Sequence, residues 1–189
     1  MLLVAPARRI SATSAAGAAA VEAALDGALP ACSAARCRLS LRGGDFSGIA
    51  EPRATLQAAL SAFLTRCPGG LILMHDAHSL PGAALPALLP LLSEGGLYTS
   101  RGAGVPAWRA AAVLTARLPL GIAAVGGEEA LARAAKAALA DMMAAAAGGD
   151  EAARNVARAL RRRVDAVAPL RATLRHDGGT GDEDELWTL

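Results

Sequence analysis

Short continuous apolar runs alternate along this chain with longer segments in which apolar residues recur every three or four positions. That is the pattern of a mainly parallel sheet with helical crossovers. The runs at residues 2–5 (LLVA), 37–42 (CRLSLR), 70–74 (GLILM), 110–116 (AAAVLTA) and 164–170 (VDAVAPL) read as five strands. The third is apolar throughout and fits a central strand covered on both faces. Residues 14–25 read as an alanine-rich helix with Val21 and Leu25 on one face, and 43–48 (GGDFSG) as a break after the second strand. Residues 54–65 place Leu56, Leu60, Phe63 and Leu64 on one helical stripe. The segment 81–96 has helical leucine spacing but contains Pro81, Pro86 and Pro90, so its helix must be short, kinked or late to begin. A long helix at 128–147 turns Leu131, Leu139 and Met142 inward, with Met143 also expected in the core. A basic helix at 151–163 is capped by Asp150. The expectation is one α/β domain over residues 1–172, a five-stranded parallel sheet flanked by helices. A Gly-rich, then acidic tail at 173–189 is too poor in apolar residues to order itself.

Composition narrows the picture. The 189 residues suit one domain, and with alanine about a quarter of the chain and aromatics 3%, the core must be fine-grained. A formal charge of +2, with arginines scattered from Arg8 to Arg175, argues against nucleic acid as a partner. Cys32, Cys37 and Cys67 lack any C-x-x-C spacing, so neither a zinc ribbon nor a disulfide framework is indicated, and reduced, unreactive thiols are expected. The N-terminal apolar run is too short for a signal peptide or a membrane span, and the chain reads as soluble.

Candidate chemistry gathers at two strand ends. In a parallel sheet the first strand-to-helix turn is the natural phosphate cradle, which needs glycines, a lysine and a Ser or Thr for Mg²⁺. Here that turn reads APARRISAT. It lacks glycine, and the chain's only lysine is Lys136. Arg8 and Arg9 supply charge but not a compact ammonium. The third strand ends on His75-Asp76, where a phosphate-hydrolysing site would carry carboxylates for Mg²⁺ and water. Imidazole is a poor Mg²⁺ ligand, which leaves one carboxylate. His75 and His78 are alternatively half of a metal site, or simply a strand tip and a surface side chain. Arg161, Arg162 and Arg163 end a helix, where unsatisfied carbonyls favour cations. Trp108 and Trp187 are too isolated for a stacking platform. No nucleophile elbow surrounds Ser11, Ser14 or Ser47, and His176 lies in the tail.

The order LLVAPARRISA, LQAALSAFLTRCPGGLILMHDAHSLPGAALPALLPLLSEGG, AAVLTAR and RRRVDAVAPLRA resembles the large AAA+ subdomain of torsins and Clp-type relatives, from about residue 2 to residue 172. The resemblance implies a P-loop AAA+-type fold and ATP-driven action on protein partners at the endoplasmic reticulum and nuclear envelope. Carried across, the P-loop Lys falls on Ser11 and its neighbouring Thr or Asn on Ala12. The Walker B Asp falls on His75, the catalytic Glu on Asp76 and the sensor Asn on Arg117. A one-residue shift puts the Walker B Asp on Asp76 and the Glu on Ala77 instead. Either register removes hydrolysis. Arg163 or Arg161 matches an arginine that, in Clp-type relatives, reaches a neighbour's nucleotide. The small helical lid and the secretory segment of torsins have no counterpart in the sequence, which leaves the compartment open between endoplasmic reticulum and cytoplasm. The resemblance thus implies a pseudo-ATPase that works as a structural or regulatory protein partner, with another AAA+ subunit as the companion and no cofactor. The alternatives are a divergent ATPase that still binds ATP and Mg²⁺ through Arg8, Arg9 or Ser11, and an inactive fragment.

Overall fold

The computed structural model describes residues 2–6, 37–100, 102–118, 127–148, 150–164 and 167–169. The expected helix at 14–25, the turn bearing Arg8, Arg9, Ser11 and Ala12, and the tail at 173–189 lie outside the described residues. One sheet contains β1 (Leu2–Pro6), β2 (Arg38–Arg42), β3 (Leu71–His75), β6 (Ala111–Leu118) and β7 (Val167–Pro169), and a separate hairpin pairs β4 (Leu97–Ser100) with β5 (Ala103–Pro106). The helices are α1 (Pro52–Arg66), α2 (Glu128–Ala146) and α3 (Glu151–Arg163). The architecture is α/β, a parallel sheet flanked by helices, as the periodicity indicates.

The order across the sheet is β2-β3-β6-β1-β7, each neighbouring pair parallel. The connections β2 to β3, β3 to β6 and β6 to β7 run one way across it, and β1 to β2 runs the other. Right-handed crossovers place α1, α2 and α3 on a common face. There α1 packs on the 82–88 segment, that segment on α3, and α3 on α2. The reversal at β1 makes the carboxyl ends of β6 and β1 a topological switch point, the place where open α/β sheets take their ligands.

Local sequence explains most elements. Pro52 starts α1 in its first turn, where the missing N–H costs no hydrogen bond. Leu56, Leu60, Phe63 and Leu64 are all buried on its inner stripe, each contributing roughly 1.5–3 kcal/mol. The chain then turns at Cys67 and returns through Gly70, whose Cβ would lie 2.5 Å from Phe63 Cζ, so only glycine lets β3 start against α1. Every residue of β3 is buried. Ile72 and Met74 join the core beneath α1, and Leu71 and Leu73 point to the opposite face, so the strand is covered on both sides. In α2, Met143 is fully buried and Met142 only partly. Asp150 caps α3 as expected, its Oδ1 accepting from the Ala152 N–H at 3.0 Å.

Two stretches depart from simple periodicity. The proline-rich segment folds as a 3₁₀ helix, Gly82–Leu88, followed by turns. Pro86 has no N–H to donate, and the Leu89 N–H bonds to the Pro86 carbonyl three residues back. The β4–β5 hairpin was not anticipated. Its strands are four residues long and contain Gly104 and Pro106, and its turn relies on Gly102 at φ +82. Tyr98 anchors it. The ring is buried and its hydroxyl donates to the Ala87 carbonyl at 2.6 Å, while burial pushes the phenol far above its ordinary range.

Candidate functional site

The sheet register decides which side chains meet at the switch point. Met74 lies opposite Leu114, so the turn after β3 stands beside the last residues of β6. On β6, alternation puts Thr115 and Arg117 on the face opposite Leu114, Ala116 and Leu118, which enter the main core. Asp76 leaves the strand in a left-handed conformation, φ 49 and ψ 46, the one non-glycine with positive φ among the described residues. Aspartate tolerates this better than most residues, yet the conformation still costs on the order of 1 kcal/mol.

Four contacts hold the turn there. The Asp76 N–H donates to Thr115 Oγ1 at 3.1 Å, and the Asp76 carbonyl accepts from the Ser79 N–H at 2.8 Å and from Ser79 Oγ at 2.7 Å. The Asp76 carboxylate meets Arg117, with Nε 3.4 Å from Oδ1. Gly43, just beyond β2, presses against the same turn. A Cβ there would lie 2.4 Å from the Asp76 carbonyl oxygen and 2.9 Å from the Leu80 nitrogen.

The two histidines have separate partners. His75 is 5% exposed, with Nε2 3.1 Å from Ser40 Oγ on β2. His78 Nδ1 accepts from the Arg117 N–H at 3.3 Å, which requires the neutral ring with its proton on Nε2. Burial drives the His78 pKa below its ordinary value, and Arg117 pushes the same way against the opposing pull of Asp76. No group of three or more His, Cys, Asp or Glu side chains suited to a metal occurs among the described residues.

Around the turn opens a cavity of about 340 Å³ lined by Arg42, Asp45, Asp76, His78 and Arg117, with Gly44 and Ser79 between them. Its two carboxylates and two guanidiniums balance. Among the described residues the donor set does not suit Mg²⁺, which needs several hard oxygens: Asp76 Oδ1 faces the Arg117 guanidinium, and the last side chain of β3 is an imidazole beside Ser40 Oγ. The Asp76–Arg117 pair fixes the turn at the mouth of this cavity.

The site residues read from the sequence therefore separate. Asp76 and Arg117 come together. Arg163 does not join them: its Nη1 donates to Glu94 Oε1 at 2.7 Å, and it lines a different cavity of about 470 Å³ with Arg158 and Arg162. Arg161 is engaged by Asp141. Arg8, Arg9, Ser11 and Ala12 lie outside the described residues. Arg42, Asp45, Thr115 and Ser79 were missed. The glycine pair at 43–44 next to Asp45 was the available signal, since paired glycines after an alternating strand mark a close backbone approach. No helix among the described residues is long and apolar enough to cross a membrane.

No protein-family profile matches the chain, and no curated protein matches it. Among solved structures, one similar to it is the S. cerevisiae Hsp104-ADP complex, with TM-score 0.46 and 12% identity over 92% of this chain. The matched region spans 29% of that chain.

Proposed function

We propose that this chain is an AAA+-like pseudo-ATPase domain, a structural or regulatory protein partner that does not hydrolyse ATP. The observation that carries the reading is the Asp76–Arg117 pair at the tips of β3 and β6. The torsin and Clp-type resemblance puts the hydrolytic carboxylate and the sensor amide at these two positions. A general base needs a free carboxylate beside the attacking water, and here the Asp76 oxygen is matched by a guanidinium. The torsin-like kinship, the P-loop assignment and a second AAA+ subunit as partner rest on the sequence resemblance.

In this reading Arg163 or Arg161 is offered to a neighbouring subunit. Arg163 must first leave Glu94, an exposed ion pair of a kind that holds weakly in water.

Isothermal titration with Mg-ATP tests the proposal. The expected result is no binding tighter than the millimolar range. Tighter binding accompanied by phosphate release would replace this reading with a divergent ATPase that uses Arg8, Arg9 and Ser11 at the first turn.

A further inference from the structure

The larger cavity, about 470 Å³, lies along α3 and is far more basic than the one at Asp76. Asn155, Arg158, Arg162 and Arg163 reach it from one face of the helix, at positions i, i+3, i+7 and i+8, and all four are exposed. The other face buries Ala153, Val156, Ala157 and Leu160, so the helix is held in place from behind. Leu92 and Glu94 form the opposite wall. Among the lining residues, three guanidiniums face one carboxylate. Glu94 Oε1 accepts from Arg163 Nη1 at 2.7 Å, which shows that a carboxylate fits there. Arg158 donates to Asn155 Oδ1, a neutral partner that leaves its charge uncompensated. The groove thus carries an excess of two positive charges.

We propose that this groove is a docking site for the acidic segment Asp182-Glu183-Asp184-Glu185 of the same chain. That segment is the only run of more than two carboxylates in the sequence. Reach permits the contact. Arg163 and Pro169, the last residue of β7, are six residues apart, hence at most about 22 Å, and Asn155 lies about 12 Å further along α3. The twelve residues 170–181 span up to roughly 40 Å when extended, which covers both distances. Spacing agrees as well. Alternate side chains of an extended segment recur about every 7 Å, and Arg158 and Arg162 are one helical turn, about 6 Å, apart. A single exposed ion pair holds weakly, but several charges meeting at once form a network, and a tether of this length keeps the segment at an effective concentration of about millimolar. The docked segment covers Arg158 and Arg162 and competes with any acidic stretch of another protein for them. No nucleotide takes part, so the contact stands apart from the ATPase question.

The test follows Trp187, two residues past the acidic run, in the full chain with Trp108→Phe removing the other indole. Its fluorescence anisotropy should be high at low salt and fall by about half near 0.5 M NaCl, where screening confines charge interactions to a few ångströms. Arg158→Glu with Arg162→Glu should give the low value already at low salt. Adding Glu183→Arg and Glu185→Arg to that variant should restore the high one. Arg154→Glu, an exposed change on α3 away from the cavity, should alter nothing. If the Arg158 and Arg162 variant does not fold, Glu183→Gln with Glu185→Gln, outside the described residues, gives the same loss. Low anisotropy in the unmutated groove at low salt, or no recovery on charge exchange, would overturn the assignment. So would a signal that disappears on dilution, which would place the contact between two copies of the chain.

Discussion

Two arginine–carboxylate pairs in this molecule have similar chemistry and different settings. Arg117 and Asp76 meet at the tips of adjacent central strands, with side chains 42% and 26% exposed. Arg163 and Glu94 meet at the end of α3, 40% and 84% exposed. The first pair is one strand of a web that also includes the Thr115 hydroxyl, the Ser79 bonds, the His78 ring and the Gly43 backbone. The second has one hydrogen bond and solvent around it. An ion pair shapes a structure when its neighbours leave it one geometry. Arg117 is therefore a fixed part of the turn, whereas Arg163 is free to exchange Glu94 for another anion.

The largest break in that comparison is expected from Gly43→Ala. Backbone atoms occupy the space its Cβ needs, so either β2 or the Asp76 turn must move. Urea unfolding should show a loss of about 1–3 kcal/mol. Arg117→Ala comes next, at about 1 kcal/mol after allowing for the partial exposure of both side chains, because the Asp76 carboxylate loses its counterion.

Acid should reveal His78. Its folded pKa lies below the unfolded value of 6.5, so the native state binds fewer protons than the unfolded one. Its contribution is complete above that value and is lost as pH falls from 6.5 through the folded pKa. His78→Gln should flatten that part of the stability-against-pH curve. The smallest effect belongs to Arg163→Ala, which should leave the urea midpoint unchanged. If its loss instead matched that of Arg117→Ala, the contrast between the two regions would collapse.

How far the sequence foretold this varies with the kind of contact. β3 and α1 were legible because their signals are local: a continuous apolar run, and a leucine stripe at helical spacing. The Asp150 cap was equally local. The β4–β5 hairpin was hidden because its strands are short and contain glycine and proline, so no period has room to appear. At the site, Asp76 and Arg117 were named as positions, but their pairing was not. It arises from the β3–β6 register, which brings together the Asp76 N–H and the Thr115 hydroxyl, 39 residues apart. The left-handed turn at Asp76 has no marker beyond that residue's tolerance for it.

The most direct test of the central claim is phosphate release from excess Mg-ATP by the full chain and by Asp76→Asn. The account predicts the same background rate for both, equal to buffer. Turnover by the unmutated chain that disappears in Asp76→Asn would make Asp76 a working base and contradict it.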